Sequence, residues 1–291
     1  MKLSVSQLAS TMNQRFEHLL VSLDEAVILS GKKTEKQRIM EDSEQADARR
    51  ELLFVEEVAI KHREEISQKR HLFIQQVEAD FHVSLINDLS ERFKNTEFIL
   101  EKVLGFDLSI GKIFDVLYTE SCSISRLEVL IKELDWLSDA TINFAKKPEY
   151  RRFDSKGKLI VIHSLRSALS FVGVDSLRIL LPALIAKRSI PPKSVLFPEL
   201  HKNIWEYTLG TGKACRAIAE KEGMKWYLGY NIGLLSTIGR SAVTTMYLKA
   251  FDGKLREKLI QAQKKKDPTE AEELNTLVPS HKYLISMWHT Y

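Results

Sequence analysis

Tyr230-Asn231-Ile232-Gly233-Leu234-Leu235-Ser236-Thr237-Ile238-Gly239-Arg240 is the stretch on which the fold turns. Its apolar majority suits a buried helix, and Gly233 lets that helix press against a neighbour. Gly239 is read as its C-cap. Between the glycines lies the polar pair Ser236-Thr237. Upstream, Trp205-Glu206-Tyr207-Thr208 opens onto Leu209-Gly210-Thr211-Gly212-Lys213, which has a superficial likeness to a phosphate loop. A phosphate loop needs a preceding strand and fuller glycine spacing, so close helix packing is the better account of Gly210 and Gly212.

Outward from this stretch the chain reads as helical throughout. Helix periodicity predicts segments at about 110–119, 123–131, 134–146, 159–171, 174–187, 196–222, 225–238, 240–263 and 280–290. Ser123 and Asp175-Ser176 are N-cap candidates. Loops are marked by Gly111, Pro148, Asp154-Ser155-Lys156-Gly157, Pro191-Pro192, Gly223 and Asp267-Pro268, and residues 255–274 read as a solvated helix end and loop. No sustained two-residue alternation suggests a strand. The class is all-α.

Before Leu104 only Gly31 interrupts the chain, and the first proline is Pro148, so the N-terminal part is built of long helices. Val5, Leu8, Met12, Phe16, Leu19, Leu23 and Val27 draw one stripe, with Gly31 the natural stop. A second stripe runs through Leu52, Val55, Ala59, Ile66, Phe73, Val77, Phe81, Leu85 and Leu89, with His62 and Lys69 near its seam. Its near-heptad steps suit a helical arm packed on its own domain or a dimerising coiled coil. Residues 32–50 are almost wholly polar and suit an exposed helix or a linker. The expected organisation is a charged long-helix arm or hairpin over 1–95, followed by a helical domain over 96–291.

Composition bounds the function. Hydrophobic residues make up 44% and charged residues 28%, and 43 basic against 39 acidic residues leave a formal net charge of +4. So small an excess gives no reason to expect a nucleic-acid partner. Cys122 and Cys215 have neither a CxxC spacing nor a close histidine, which argues against a disulfide framework or structural zinc and suits a cytoplasmic location. The apolar runs are too short to span a bilayer, so no membrane contact is expected.

Three pieces fall in a fixed order. The first is Ile131-Lys132-Glu133-Leu134-Asp135-Trp136-Leu137, leading into Asn143-Phe144-Ala145 and Pro148. The second is Ile162-His163-Ser164-Leu165-Arg166-Ser167-Ala168-Leu169-Ser170-Phe171-Val172-Gly173, with Leu177 and Leu180-Leu181 beyond it. The third runs from Ile204-Trp205 through Ala214 and Ala219 to Ser236-Thr237-Ile238-Gly239-Arg240. Together, over about 112–250, they resemble the HDOD family, the HD-related output domain of bacterial signalling proteins. The resemblance implies an HD-like multi-helix bundle with an additional helical lobe, acting without known catalysis.

In HD-type phosphohydrolases, which share the frame, a His-Asp pair stands at the place of Ser236-Thr237, and a first histidine at about Tyr207. Such an enzyme needs imidazoles and carboxylates converging on a metal to generate hydroxide. Hydroxyls without a carboxylate are poor ligands for a transition metal. The sequence has no adjacent His-Asp pair and no HExxH. The expectation is therefore a degenerate site, no metal or other cofactor, and no phosphohydrolase activity. Pocket candidates are Tyr207, Ser236, Thr237, Arg240 and His201.

His18, His62, His71 and His82 read as surface or seam residues, and His163 as a polar core or capping group. The aromatic set Trp136, Trp205, Trp226, Tyr227 and Tyr230 reads as core. Three functions compete. A signalling scaffold would act through a protein partner, with a homodimer through the N-terminal helices as a further contact. A sensor would hold a small anion or nucleotide with Tyr207, Ser236, Thr237 and Arg240. A residual hydrolase would recruit ligands from His201, Asp175 or Glu206. The missing metal ligands favour the first.

Overall fold

The computed structural model describes residues 4–23, 27, 54–150, 161–195, 197–266 and 268–291; Gly31, the polar stretch 32–50 and the loop at 154–157 lie outside them. Among the described residues there is no strand. In chain order the helices are α1 (Val5–Val21), α2 (Phe54–Phe93), α3 (Ser109–Tyr118), α4 (Ile124–Lys132), α5 (Asp135–Ala145) and α6 (Leu165–Val172). They continue as α7 (Val174–Ser189), α8 (Leu200–Lys221), α9 (Trp226–Leu235), α10 (Ile238–Lys265), α11 (Pro268–Thr276) and α12 (His281–Thr290). The described chain divides into two compact units: one within 1–91 together with 193–203 and 246–291, the other over 92–192 and 204–245.

In the first unit α1 opens with a capping box, in which Ser4 Oγ accepts from the Gln7 backbone and the Gln7 side chain accepts from Ser4 N–H. Its buried face is Glu17, Leu20 and Val21, tied down by Glu17 Oε2 at 2.7 Å from His289 Nε2 and by Asn203 Nδ2 donating to the Leu20 carbonyl. The stripe from Val5 to Leu19 turns instead to solvent, contrary to the usual rule for an amphipathic helix. In α2, Phe81, Leu85 and Leu89 are fully buried while Ile66 and Phe73 are exposed; Leu52 and the side chains of Val55 and Ala59, at the start of that stripe, lie outside the described residues.

The C-terminal helices complete this unit, whereas a boundary at residue 95 would group them with the second. Lys254 Nζ on α10 reaches Asp88 Oδ2 on α2 at 2.7 Å, and Phe81 meets Phe251 edge to face at 5.0 Å. The helix end expected within 255–274 is present, α10 running to Lys265, but the loop expected beyond it is a correction: α11 follows, with Leu274 and Glu273 buried. Pro268, read as a loop marker, is the first residue of α11, where its missing N–H costs nothing and its fixed φ suits a helix. Arg70 Nε and Nη2 both donate to Glu273 Oε1, satisfying the buried carboxylate.

His82 is also a correction, since it is wholly buried rather than at a surface or seam. Its ring stacks on Tyr283 at 3.9 Å and lies among Phe81, Tyr247 and Phe251. Neither ring nitrogen has a hydrogen-bond partner among the described residues. Burial therefore disfavours the imidazolium and pulls the pKa down to about 4 from 6.5. Between those values the unfolded chain binds the proton that the folded chain refuses. Stability from this residue is full above about pH 6.5 and falls as pH drops toward 4, by on the order of 2–3 kcal/mol. His82→Phe is expected to flatten that part of the profile, as measured by urea midpoints at pH 7.5 and 4.5. An equal acid loss in both proteins would show that His82 is not the group responsible.

The second unit has a continuous apolar core that includes Ile113, Leu117, Leu127, Ile131, Leu137, Leu169, Leu177 and Leu181, drawn from α3 to α7. Ser123 caps α4 as expected, while the N-cap of α7 is Gly173 and not Asp175 or Ser176. Ser164 caps α6, leaving His163 exposed and outside the capping role. Gly173 lets α6 and α7 meet at 114°, with φ 79° and ψ 153°, a conformation essentially confined to glycine. No single described helix is long and apolar enough to cross a membrane.

Candidate functional site

The signature stretch forms α9 and the start of α10, and α8 lies directly against it. A Cβ on Gly233 would sit 2.6 Å from the Thr211 carbonyl oxygen and 2.8 Å from Gly212 Cα. One on Gly229 would sit 2.6 Å from the Cys215 carbonyl oxygen and 2.5 Å from Ala219 Cβ. Two glycines four residues apart thus put one ridge of α9 in backbone contact with α8. Gly212 receives Tyr230 and Leu234 from the other side, as close packing requires, but Gly210 faces open space. Gly239 is a correction: it lies inside α10, nothing is within 4 Å of its would-be Cβ, and α9 ends instead at Ser236.

Between Gly229 and Gly233 the buried Asn231 points the other way, toward α7 and α3. Pro182, in the middle of α7, has no N–H to give the carbonyl four residues back, which belongs to Arg178. Asn231 Nδ2 donates to that Arg178 carbonyl at 2.7 Å, and also to Tyr118 Oη at 2.7 Å. A side chain from α9 therefore fills the gap that proline leaves in another helix, as a buried carbonyl demands. Burial pushes the Tyr118 phenol up to about 12, so the hydroxyl stays protonated. The Arg178 guanidinium donates to the Leu117 and Thr119 carbonyls at the end of α3, and it lies 5.2 Å over the Tyr227 ring.

Of the signature pair Ser236-Thr237, Thr237 is buried, and its Oγ1 lies 2.9 Å from Oγ1 of the equally buried Thr208, the residue after Tyr207. Each hydroxyl is also within reach of a backbone carbonyl, Thr237 of Leu234 at 2.9 Å and Thr208 of Ile204 at 2.8 Å; with one proton apiece, one threonine donates to the other and the second donates to its carbonyl. Ser236 is exposed and donates to the Gly233 carbonyl. The Arg240 guanidinium lies 5.2 Å over the Tyr207 ring. The fold thus gathers Tyr207, Thr237 and Arg240 at one place, joins Thr208 to them, and leaves Ser236 at the rim.

His201 falls in the other compact unit. Asp175 is exposed and paired with Arg178 at 2.9 Å, and Glu206 is exposed, so neither carboxylate turns toward the threonine pair. Among the described residues no three His, Cys, Asp or Glu side chains stand where they could hold a metal ion together. Threonine hydroxyls engaged with each other and with backbone carbonyls do not make a transition-metal donor set.

The aromatic residues read as core are half-buried, and four carry a cation on one face. Arg188 lies 4.5 Å from Trp136, Arg216 4.4 Å from Trp226, Arg178 5.2 Å from Tyr227 and Lys187 6.0 Å from Trp205. Such pairs add stability while covering faces that would otherwise be open for stacking.

Thr208, Asn231, Pro182 and Gly229 carry the geometry but were not singled out from the sequence. The signal for two of them was present: an asparagine amid apolar helix residues, and a proline inside an apolar helical run. A family model described as the HDOD domain matches residues 109–287. No curated protein sequence and no solved structure matches the chain.

Proposed function

Because the chain belongs to the HDOD family, we propose that it is a bacterial signalling or scaffolding protein whose HD-like core works by binding a protein partner and does not hydrolyse phosphate esters. The observation that supports this reading is the Thr208–Thr237 contact. Two buried hydroxyls, 2.9 Å apart, occupy the heart of the pseudo-site and are satisfied by each other and by backbone carbonyls. A hydrolase needs at that point an imidazole–carboxylate set able to bind a cation and lower the pKa of its water. Here the same positions act as a helix-to-helix fastener between α8 and the start of α10. The retained frame then has value as a shape, a rigid bundle that presents a surface.

Elemental mass spectrometry of the purified chain, after incubation with manganese, iron, zinc and nickel followed by desalting, is expected to find each metal far below one per chain. A stoichiometric metal together with metal-dependent phosphodiesterase turnover would overturn the proposal.

A further inference from the structure

Glycine contacts fix how α8 and α9 lie. Gly233 meets Thr211 and Gly212, and Gly229 meets Cys215 and Ala219, so the helices run antiparallel with their backbones touching. One flank of the pair carries Arg216 at 4.4 Å over Trp226; the opposite flank carries Arg240 over Tyr207. At 100° per residue, Ala214, Ile218 and Lys221 lie on the Tyr207 side of α8. On the same flank of α9 lie Lys225, Ile232 and Ser236. All six are exposed.

Ile218 is 62% exposed, Ile232 is 63%, and Met224, in the turn joining the two helices, is 55%. Neither isoleucine packs into the apolar core of the second unit. Apolar side chains rimmed by polar ones mark a contact surface. The rim is mostly cationic: Lys221 and Lys225 flank the turn, with Glu222 the one acidic residue between them. Among the described residues neither lysine is paired with a carboxylate.

Granted the protein-binding reading, on which this rests, we propose that the face bearing Ile218 and Ile232 is where the partner docks, and that the partner presents an amphipathic helix with carboxylates at one end. Two helices in backbone contact leave a shallow groove, and the small side chain of Ala214 leaves room for a third helix to lay a ridge along it. Apolar residues at helical spacing on that helix meet Ile218 and Ile232 as anchors. Met224 adapts its shape to them. The two lysines select acidic residues at the turn end and reject a basic helix. Nucleic acid fits less well, because it stacks bases on open rings, whereas Trp226 and Tyr207 each hold a guanidinium on one face.

The test is site-directed photo-crosslinking of the full chain in its native cells. p-Benzoylphenylalanine is placed at Ile218 and Ile232, and at Val129 and Ile260, exposed at 63% and 52% on other helices, as comparison sites. Positions 218 and 232 are expected to label one segment of one protein. That segment, made as a synthetic peptide, should bind the purified chain in fluorescence anisotropy. Ile232→Glu should weaken binding at least about 10-fold, as should Lys221→Glu together with Lys225→Glu. Replacing the peptide's acidic residues by lysine should restore binding to the double lysine variant alone. Circular dichroism melts confirm that each variant is folded. Adducts at 129 or 260 alone would overturn this face and leave the protein-binding reading standing. No adduct at any of the four positions would overturn both. A nucleic-acid adduct at 232, or a peptide indifferent to the charge exchange, would also overturn the proposal.

Discussion

Gly233→Ala is expected to destabilise the second unit by about 3 kcal/mol or more, since overpacking that forces backbone to move lies at the costly end of such substitutions. The added methyl would lie 2.6 Å from the Thr211 carbonyl oxygen and 2.8 Å from Gly212 Cα. Neither atom is the end of a flexible side chain, so α8 and α9 must separate. Separation would also stretch the Thr208–Thr237 contact at 2.9 Å, because Thr208 rides on α8 and Thr237 follows α9. Gly239→Ala is the control: nothing lies within 4 Å of its Cβ position, and alanine is the better helix former by up to about 1 kcal/mol. Three of the four tryptophans, Trp136, Trp205 and Trp226, lie in the second unit, so fluorescence-detected urea unfolding of a Trp288→Phe background reads that unit directly. A Gly233→Ala midpoint equal to that of the parent would refute the backbone-contact account of α9.

The second large effect concerns Asn231. Asn231→Leu keeps the volume but strands the Arg178 carbonyl and removes a donor from Tyr118 Oη, which should cost about 2–4 kcal/mol. The cause is specific, and so is its remedy. Pro182→Ala would return an N–H to α7 at the position that serves Arg178. In that background Asn231→Leu should cost at least about 1 kcal/mol less, the coupling expected of groups that share a partner. Equal costs in the two backgrounds would mean that Asn231 acts through packing or through Tyr118 alone.

Some of this was legible in the chain before any coordinates. The absence of proline and the single glycine, Gly31, before Leu104 and the three- and four-residue apolar steps are local facts, and helix formation answers to local facts. Hence α3 to α10 lie close to where periodicity places them, except that α6 starts at Leu165 and not near 159, and the ordered pieces around Trp205 and Gly233 already pointed to the family. Gly233 was legible as a close approach because a glycine inside an apolar helix asks for a reason. Gly239 looked alike in sequence and proved different, since only a neighbour distinguishes a glycine that is needed from one that is tolerated.

What the sequence determined by itself is the all-helical class, the spacing of the helices and the chemistry of the signature residues, because backbone propensity, apolar period and donor type are properties of short stretches. What only the tertiary structure decided is which face each helix buries and which polar groups meet. The stripe on α1 has an ordinary core-facing pattern, yet Glu17, Leu20 and Val21 are the residues enclosed, because Leu20 and Glu17 find Asn203 and His289. His82 reads as a seam residue and ends in an aromatic cage, since Tyr283 comes from a helix about 200 residues away. The link between Asn231 and the Pro182 gap is of the same kind. A buried carbonyl must be satisfied, and the partner that satisfies it is chosen by the packing of three helices, not by the sequence around either residue.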